Sequence, residues 1–93
     1  MISLAVLIFH SSAYAAIPKL SANCPGGIEV LADEGGPVYI NGVKGALKQF
    51  SDNYFEIKEG DVVISLMTAP DGSIDVSYTG KHKAHGVCST KSS

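Results

Sequence analysis

The chain has no arginine; its 7 cationic side chains are all lysine. Four of them (Lys19, Lys44, Lys48, Lys58) lie between Ala16 and Gly80, against all nine acids, a local balance of −5. Nucleic-acid binding needs a basic stripe, and an acidic body without arginine argues against it. The sequence also lacks an uninterrupted apolar run of about 20 residues, the length of a membrane-spanning helix. It has no convincing amphipathic helix, no internal repeat and no Gly-x-Ser-x-Gly elbow to raise a nucleophilic serine. No helix follows Gly26-Gly27 or Gly35-Gly36, so neither reads as a phosphate-binding loop.

Met1 to Phe9 is apolar apart from Ser3, and Ala13-Tyr14-Ala15 is a small-x-small cleavage signal. Residues 1–15 therefore read as a secretory signal peptide, leaving 16–93 as a single small β domain with an ordered core at about 24–88. No stable membrane anchor is expected after cleavage. Asn23 fits a lipoprotein signal poorly, so Cys24 is not read as lipidated. The expected localisation is periplasmic or secreted. In a short exported chain an even cysteine count reads as a disulfide. The only two cysteines, Cys24 and Cys88, would then pair and staple a core too small to be comfortable without help.

What remains is strand and turn chemistry. In Asp61 to Gly80, Val62, Ile64 and Leu66 alternate with their neighbours, as do Ile74, Val76 and Tyr78 beyond Ala69-Pro70-Asp71-Gly72. Period-two alternation predicts half-buried strands, and the intervening segment predicts a tight hairpin. With Ala69 opposite Ser73, Leu66 meets Val76 and Ile64 meets Tyr78. Asn41-Gly42 predicts a type I′ turn pairing Ile40 with Val43 and Tyr39 with Lys44. Ser51-Asp52-Asn53 is expected to pair Phe50 with Tyr54, Leu47 with Ile57, and Lys48 with Glu56 as an opposite-charge pair. Glu59-Gly60 is expected to pair Ile57 with Val62.

These registers place Ile40, Val43, Leu47, Phe55, Ile57, Val62, Ile64, Leu66, Ile74, Val76 and Tyr78 on one face. A sheet with one bare apolar face must fold over or close. The fold expected is all-β: a small antiparallel meander of about six strands, coiled or closed into a barrel, with the first strand meeting the last and one disulfide. A two-layer sandwich of the same strands is the alternative. Ala16 to Asn23 reads as a leader, and the last five residues as a frayed end.

Candidate chemistry is sparse. His82 and His85 are spaced to share a metal, but no third ligand is signalled, so no metal site is assigned. Asp33-Glu34-Gly35-Gly36 and Asp71-Gly72-Ser73 lack the alternating ligand spacing of a calcium loop. The acids lie mainly in turns, and no cofactor or catalytic residue is assigned. The chain is not expected to be an enzyme.

Tyr39, Phe50, Tyr54, Val63 and Met67 fall on the outer face. Clustered exposed aromatics mark interfaces, and Tyr39, Phe50, Tyr54 and Met67 are the candidate partner-binding residues. The function expected is a secreted or periplasmic binding module engaging a protein. The acidic loops also suit an inhibitor of a cationic hydrolase such as lysozyme. A small-ligand carrier, an envelope enzyme and an envelope protein that self-associates through an open strand edge are further readings.

Overall fold

The structure, a computed structural model, describes residues 17–92. The expected signal peptide, residues 1–15, lies outside the described residues. Ten strands form: β1 (Leu20–Cys24), β2 (Ile28–Ala32), β3 (Val38–Ile40), β4 (Val43–Lys44), β5 (Ala46–Ser51), β6 (Tyr54–Glu59), β7 (Val62–Thr68), β8 (Ile74–Thr79), β9 (His85–Val87) and β10 (Ser89–Ser92). They make two five-stranded antiparallel sheets, ordered β10-β1-β2-β3-β4 and β5-β6-β7-β8-β9. Among the described residues no helix is long and apolar enough to cross a membrane.

The six expected strands are present. The count rises because one of them is split at Gly45 and because β1, β9 and β10 are added at the ends. The expected first and last strands, β2 and β8, do not meet, because they lie in different sheets. The strands that pair across the ends are the added β1 and β10, with Leu20 opposite Ser92 and Asn23 opposite Ser89. The sheets nevertheless do not close into a barrel. The chain passes from one sheet to the other at two corners, between β4 and β5 and between β9 and β10, as bent strands do where two sheets share a core.

Gly45 makes the first corner. Its N–H donates to Val38 O at 2.9 Å. A Cβ there would collide with Ile57 Cγ2, with Lys58 O 3.4 Å and Ile40 Cδ1 3.6 Å away. Only glycine lets the backbone cross so close to the core. Cys88 makes the second corner: its N–H donates to Val76 O on β8 at 2.8 Å, and its sulfur bonds Cys24 at the end of β1. The disulfide spans 64 positions with a Cα–Cα distance of 4.1 Å, and both cysteines are buried.

Between the sheets, Val30, Val38 and Ile40 of the first meet Ile57, Ile64, Leu66 and Val76 of the second, all under 2% exposed. Burial of this kind stabilises by about 1.5–3 kcal/mol for each large aliphatic side chain, and it decides which strand face turns inward. The core reaches beyond the expected limits. Ile17, Leu20 and Ala22 are buried, and Gly35 N–H donates to Ile17 O at 2.7 Å. The supposed leader is thus a central strand, and the supposed frayed end is the strand beside it. Ala22 carries little apolar area and Ser89–Ser92 almost none, so their strand character comes from backbone pairing.

The Asn41-Gly42 and Ala69–Gly72 hairpins have the expected registers. Asn41 and Gly42 take φ of 51° and 81°. Asn41 also extends the β2–β3 ladder: its N–H donates to Glu29 O and its Oδ1 accepts from Glu29 N, each at 2.8 Å.

The β6–β7 hairpin differs. Glu59 faces Val62, so Ile57 meets Ile64 and Phe55 meets Leu66. The turn residues are Gly60 and Asp61, with Gly60 at φ 58°. Glycine at the first central position is what a two-residue type II′ turn requires. The shift is two residues, so the apolar face is unchanged.

Val43 and Leu47 also depart from expectation. They share the inner parity but are 50% and 42% exposed. The first sheet ends at the two-residue β4, and β5 runs past its edge, where only the turn before β3 comes near: a Cβ on Gly36 would lie 3.5 Å from Leu47 Cδ2.

Candidate functional site

The outer face of the second sheet can be read off the registers. One row runs Ala46, Lys58, Val63, Thr79, His85, and the next runs Lys48, Glu56, Ser65, Ser77, Val87. At the far end Tyr54 faces Met67, which faces Asp75. A β-bulge between Gln49 and Ser51 shifts the β5–β6 register there, so Tyr54 pairs with Ser51. An extra residue on one strand re-aims the side chains beside it. Phe50 comes to lie with its ring centroid 5.7 Å from that of Tyr54, at 46°. Phe50 is 52% and Met67 46% exposed, and Tyr54 is partly buried.

Three of the four candidate partner-binding residues therefore come together: Phe50, Tyr54 and Met67. Tyr39 does not join them. It lies on β3 in the first sheet, opposite Leu31 and Lys44.

Polar contacts hold the patch in shape. The Tyr54 hydroxyl donates to Glu56 Oε2 at 2.7 Å and lies 3.4 Å from Ser65 Oγ. Glu56 and Lys48 are opposite each other as expected, but they do not form an ion pair. Lys48 Nζ instead sits 5.0 Å from the centroid of the Phe50 ring, where the ring quadrupole attracts a cation. The adjoining turn is braced. Ser51 Oγ donates to Asn53 Oδ1 at 2.9 Å, Gln49 Nε2 donates to Ser51 O at 3.0 Å, and Thr68 N–H donates to Asn53 O at 2.9 Å.

The rim is acidic. Asp52 borders two shallow depressions, one with Gln49, Phe50 and Ser51, the other with Asn53, Thr68, Ala69 and Pro70. Asp75 flanks Met67. Asp71 lies in the β7–β8 turn, where its Oδ1 accepts from Ser73 Oγ at 2.7 Å and Ser73 N–H at 2.9 Å. Those two hydrogen bonds hold its carboxyl below the usual aspartate pKa, because both favour the charged form.

The opposite end of the same sheet carries both signs, with Glu59 and Asp61 at the β6–β7 turn and Lys81 and Lys83 after β8. Lys81–Lys83 form a 3₁₀ turn, with His82 and Lys83 at φ 57° and 61°. Lys81 Nζ is 3.4 Å from Asp61 Oδ2, both side chains well exposed. His82 and His85 are exposed, and His85 Nδ1 lies 3.1 Å from Lys83 O. Among the described residues, no three His, Cys, Asp or Glu side chains gather as metal ligands would. The sequence missed the gathering of Asp52, Asp71 and Asp75 at one end of the sheet. The turn positions were visible, but which turns share an end depends on the strand order.

Comparison with protein families, with curated proteins and with solved structures finds no match for this chain.

Proposed function

We propose that the chain is a secreted or periplasmic binding module that engages a protein partner through the Phe50–Tyr54–Met67 end of its second sheet. The observation that carries the reading is an exposed Phe50 packed on a partly buried Tyr54 beside an exposed methionine, on braced backbone, within an acidic rim. Aromatic anchors on a rigid support hold most of the energy of a typical interface. The rim of Asp52, Asp71 and Asp75 suits a cationic partner, which favours an inhibitor of a cationic hydrolase such as lysozyme as the second reading. The Cys24–Cys88 disulfide is consistent with an oxidising compartment.

The test is capture of extracellular or periplasmic proteins by the wild-type chain and by the Phe50→Ala/Met67→Ser double variant, with lysozyme assayed separately as a defined cationic probe. Loss of two central contacts is expected to weaken a specific partner by at least about 30-fold, equivalent to about 2 kcal/mol. A partner held equally by both chains would refute this face as the site. Binding that falls steeply with salt would support the cationic-hydrolase reading, and salt-insensitive binding would remove it.

A further inference from the structure

β5 is the free edge of the second sheet, paired only on its β6 side. All six of its residues are exposed. Leu47 and Phe50 on β5 and Val43 on the adjoining β4 account for three of the six large apolar side chains left exposed among the described residues. The strand carries one large apolar side chain on each face: Leu47 shares the inner face with Ile57, and Phe50 lies on the outer face beside Tyr54. An edge of this kind offers unpaired backbone N–H and C=O groups to another strand.

We infer that its occupant is β5 of a second copy, paired antiparallel about a two-fold axis at Leu47. Such an axis stands normal to the sheet and returns each face to itself. It must therefore lie midway between one residue and its own copy, which face each other. An axis at Lys48 sets two ammonium groups opposite each other. One at Ala46 sets Lys44 against Lys48 and runs at once into the Gly45 corner. One at Gln49 or Phe50 falls on the bulge, which breaks the ladder. An axis at Leu47 opposes no like charges and centres the ladder midway between the Gly45 corner and the bulge that begins at Gln49. Leu47 then meets Leu47, Ala46 meets the long apolar stem of Lys48, and pairing runs from Gly45 to Gln49. The two second sheets become one continuous sheet, and both aromatic patches lie on its same outer face.

The test uses the full chain with its disulfide intact. Sedimentation equilibrium should show a reversible dimer. Leu47→Lys should abolish it while leaving the far-UV circular dichroism unchanged, with a small drop in melting temperature because the side chain is 42% exposed in the single copy. Leu47→Cys should form a covalent dimer on mild oxidation, since directly opposed Cβ atoms lie about 5 Å apart. Gln49→Cys should not. A wild-type chain that stays monomeric up to about 1 mM overturns the inference. So does faster cross-linking through position 49 than through position 47. Neither outcome bears on partner binding by Phe50 and Met67.

Discussion

Gly45→Ala is the substitution for which the fold makes its sharpest demand. The new methyl group would enter the space of Ile57 Cγ2, with Lys58 O 3.4 Å and Ile40 Cδ1 3.6 Å away. Ile57 and Ile40 are 0% and 1% exposed, so neither can swing into solvent. Overpacking of a filled core costs about 1–3 kcal/mol. A smaller term opposes it. Gly45 has no left-handed φ, and alanine stiffens the unfolded chain, a gain of about 0.4–1 kcal/mol at a compatible site. The steric cost wins, leaving a net loss of about 1–2 kcal/mol.

The cause can be isolated by removing the obstacle. Ile57→Ala alone deletes Cγ2 and leaves a cavity, costing about 2–5 kcal/mol. In the double variant the methyl at position 45 occupies part of that cavity. The two losses should therefore fall short of additivity by at least about 1 kcal/mol. Urea unfolding with the disulfide intact, followed by circular dichroism, measures all four corners of the cycle. Additivity within about 0.5 kcal/mol, or a neutral Gly45→Ala, would refute the close crossing of β4–β5 over Ile57.

Reduction of Cys24–Cys88 opens a loop of 64 positions and should destabilise the domain by about 4 kcal/mol on the chain-entropy estimate. A urea midpoint that barely moves on adding reductant would contradict it. In carbon-detected NMR the Asp71 carboxyl should titrate below the ordinary aspartate value, and Ser73→Ala should raise it. A folded pKa below the unfolded one means that the contribution to stability is full above the unfolded pKa. It is lost as the pH falls through the folded pKa. An Asp71 that titrates normally, or is unmoved by Ser73→Ala, would show that the turn hydrogen bonds do not form in solution.

Much of the second sheet was legible because side chains announce it. Alternation and turn chemistry agree from Val62 to Thr79, and the Ala69–Gly72 register followed from both. At Gly60 the sequence allowed two registers separated by two residues. Both keep Ile57, Ile64 and Leu66 inside, so apolar patterning could not choose. The glycine's place in a type II′ turn does. β1 and β10 were missed for a different reason. Ser89–Ser92 offer little hydropathy and pair only with β1, 66 to 72 positions away. β1, though paired locally with β2, turns only Leu20 and the short side chains of Ala22 and Cys24 inward. Val43 and Leu47 show the converse, since correct parity says nothing about whether a second layer extends far enough to cover them. For the candidate site, alternation put Phe50, Tyr54 and Met67 on the outer face, but the expected registers did not bring them together. The bulge sets Tyr54 against Ser51 instead of Phe50, and only the two-residue shift at Gly60 sets it against Met67. The exclusion of Tyr39 required the break at Gly45.

The pairing of β1 with β10 has a mechanical consequence. Leu20 lies opposite Ser92, so both ends of the folded segment leave from the same side. A load applied between them would peel the two strands apart like a zip, one rung at a time, through Ser21–Lys91 and Ala22–Thr90 to Asn23–Ser89. There it would reach the covalent link between Cys24 and Cys88. Everything between the cysteines lies inside a closed ring and bears no tension. While oxidised, the domain would yield only its short outer seam and keep the core and the Phe50–Met67 face intact under strain.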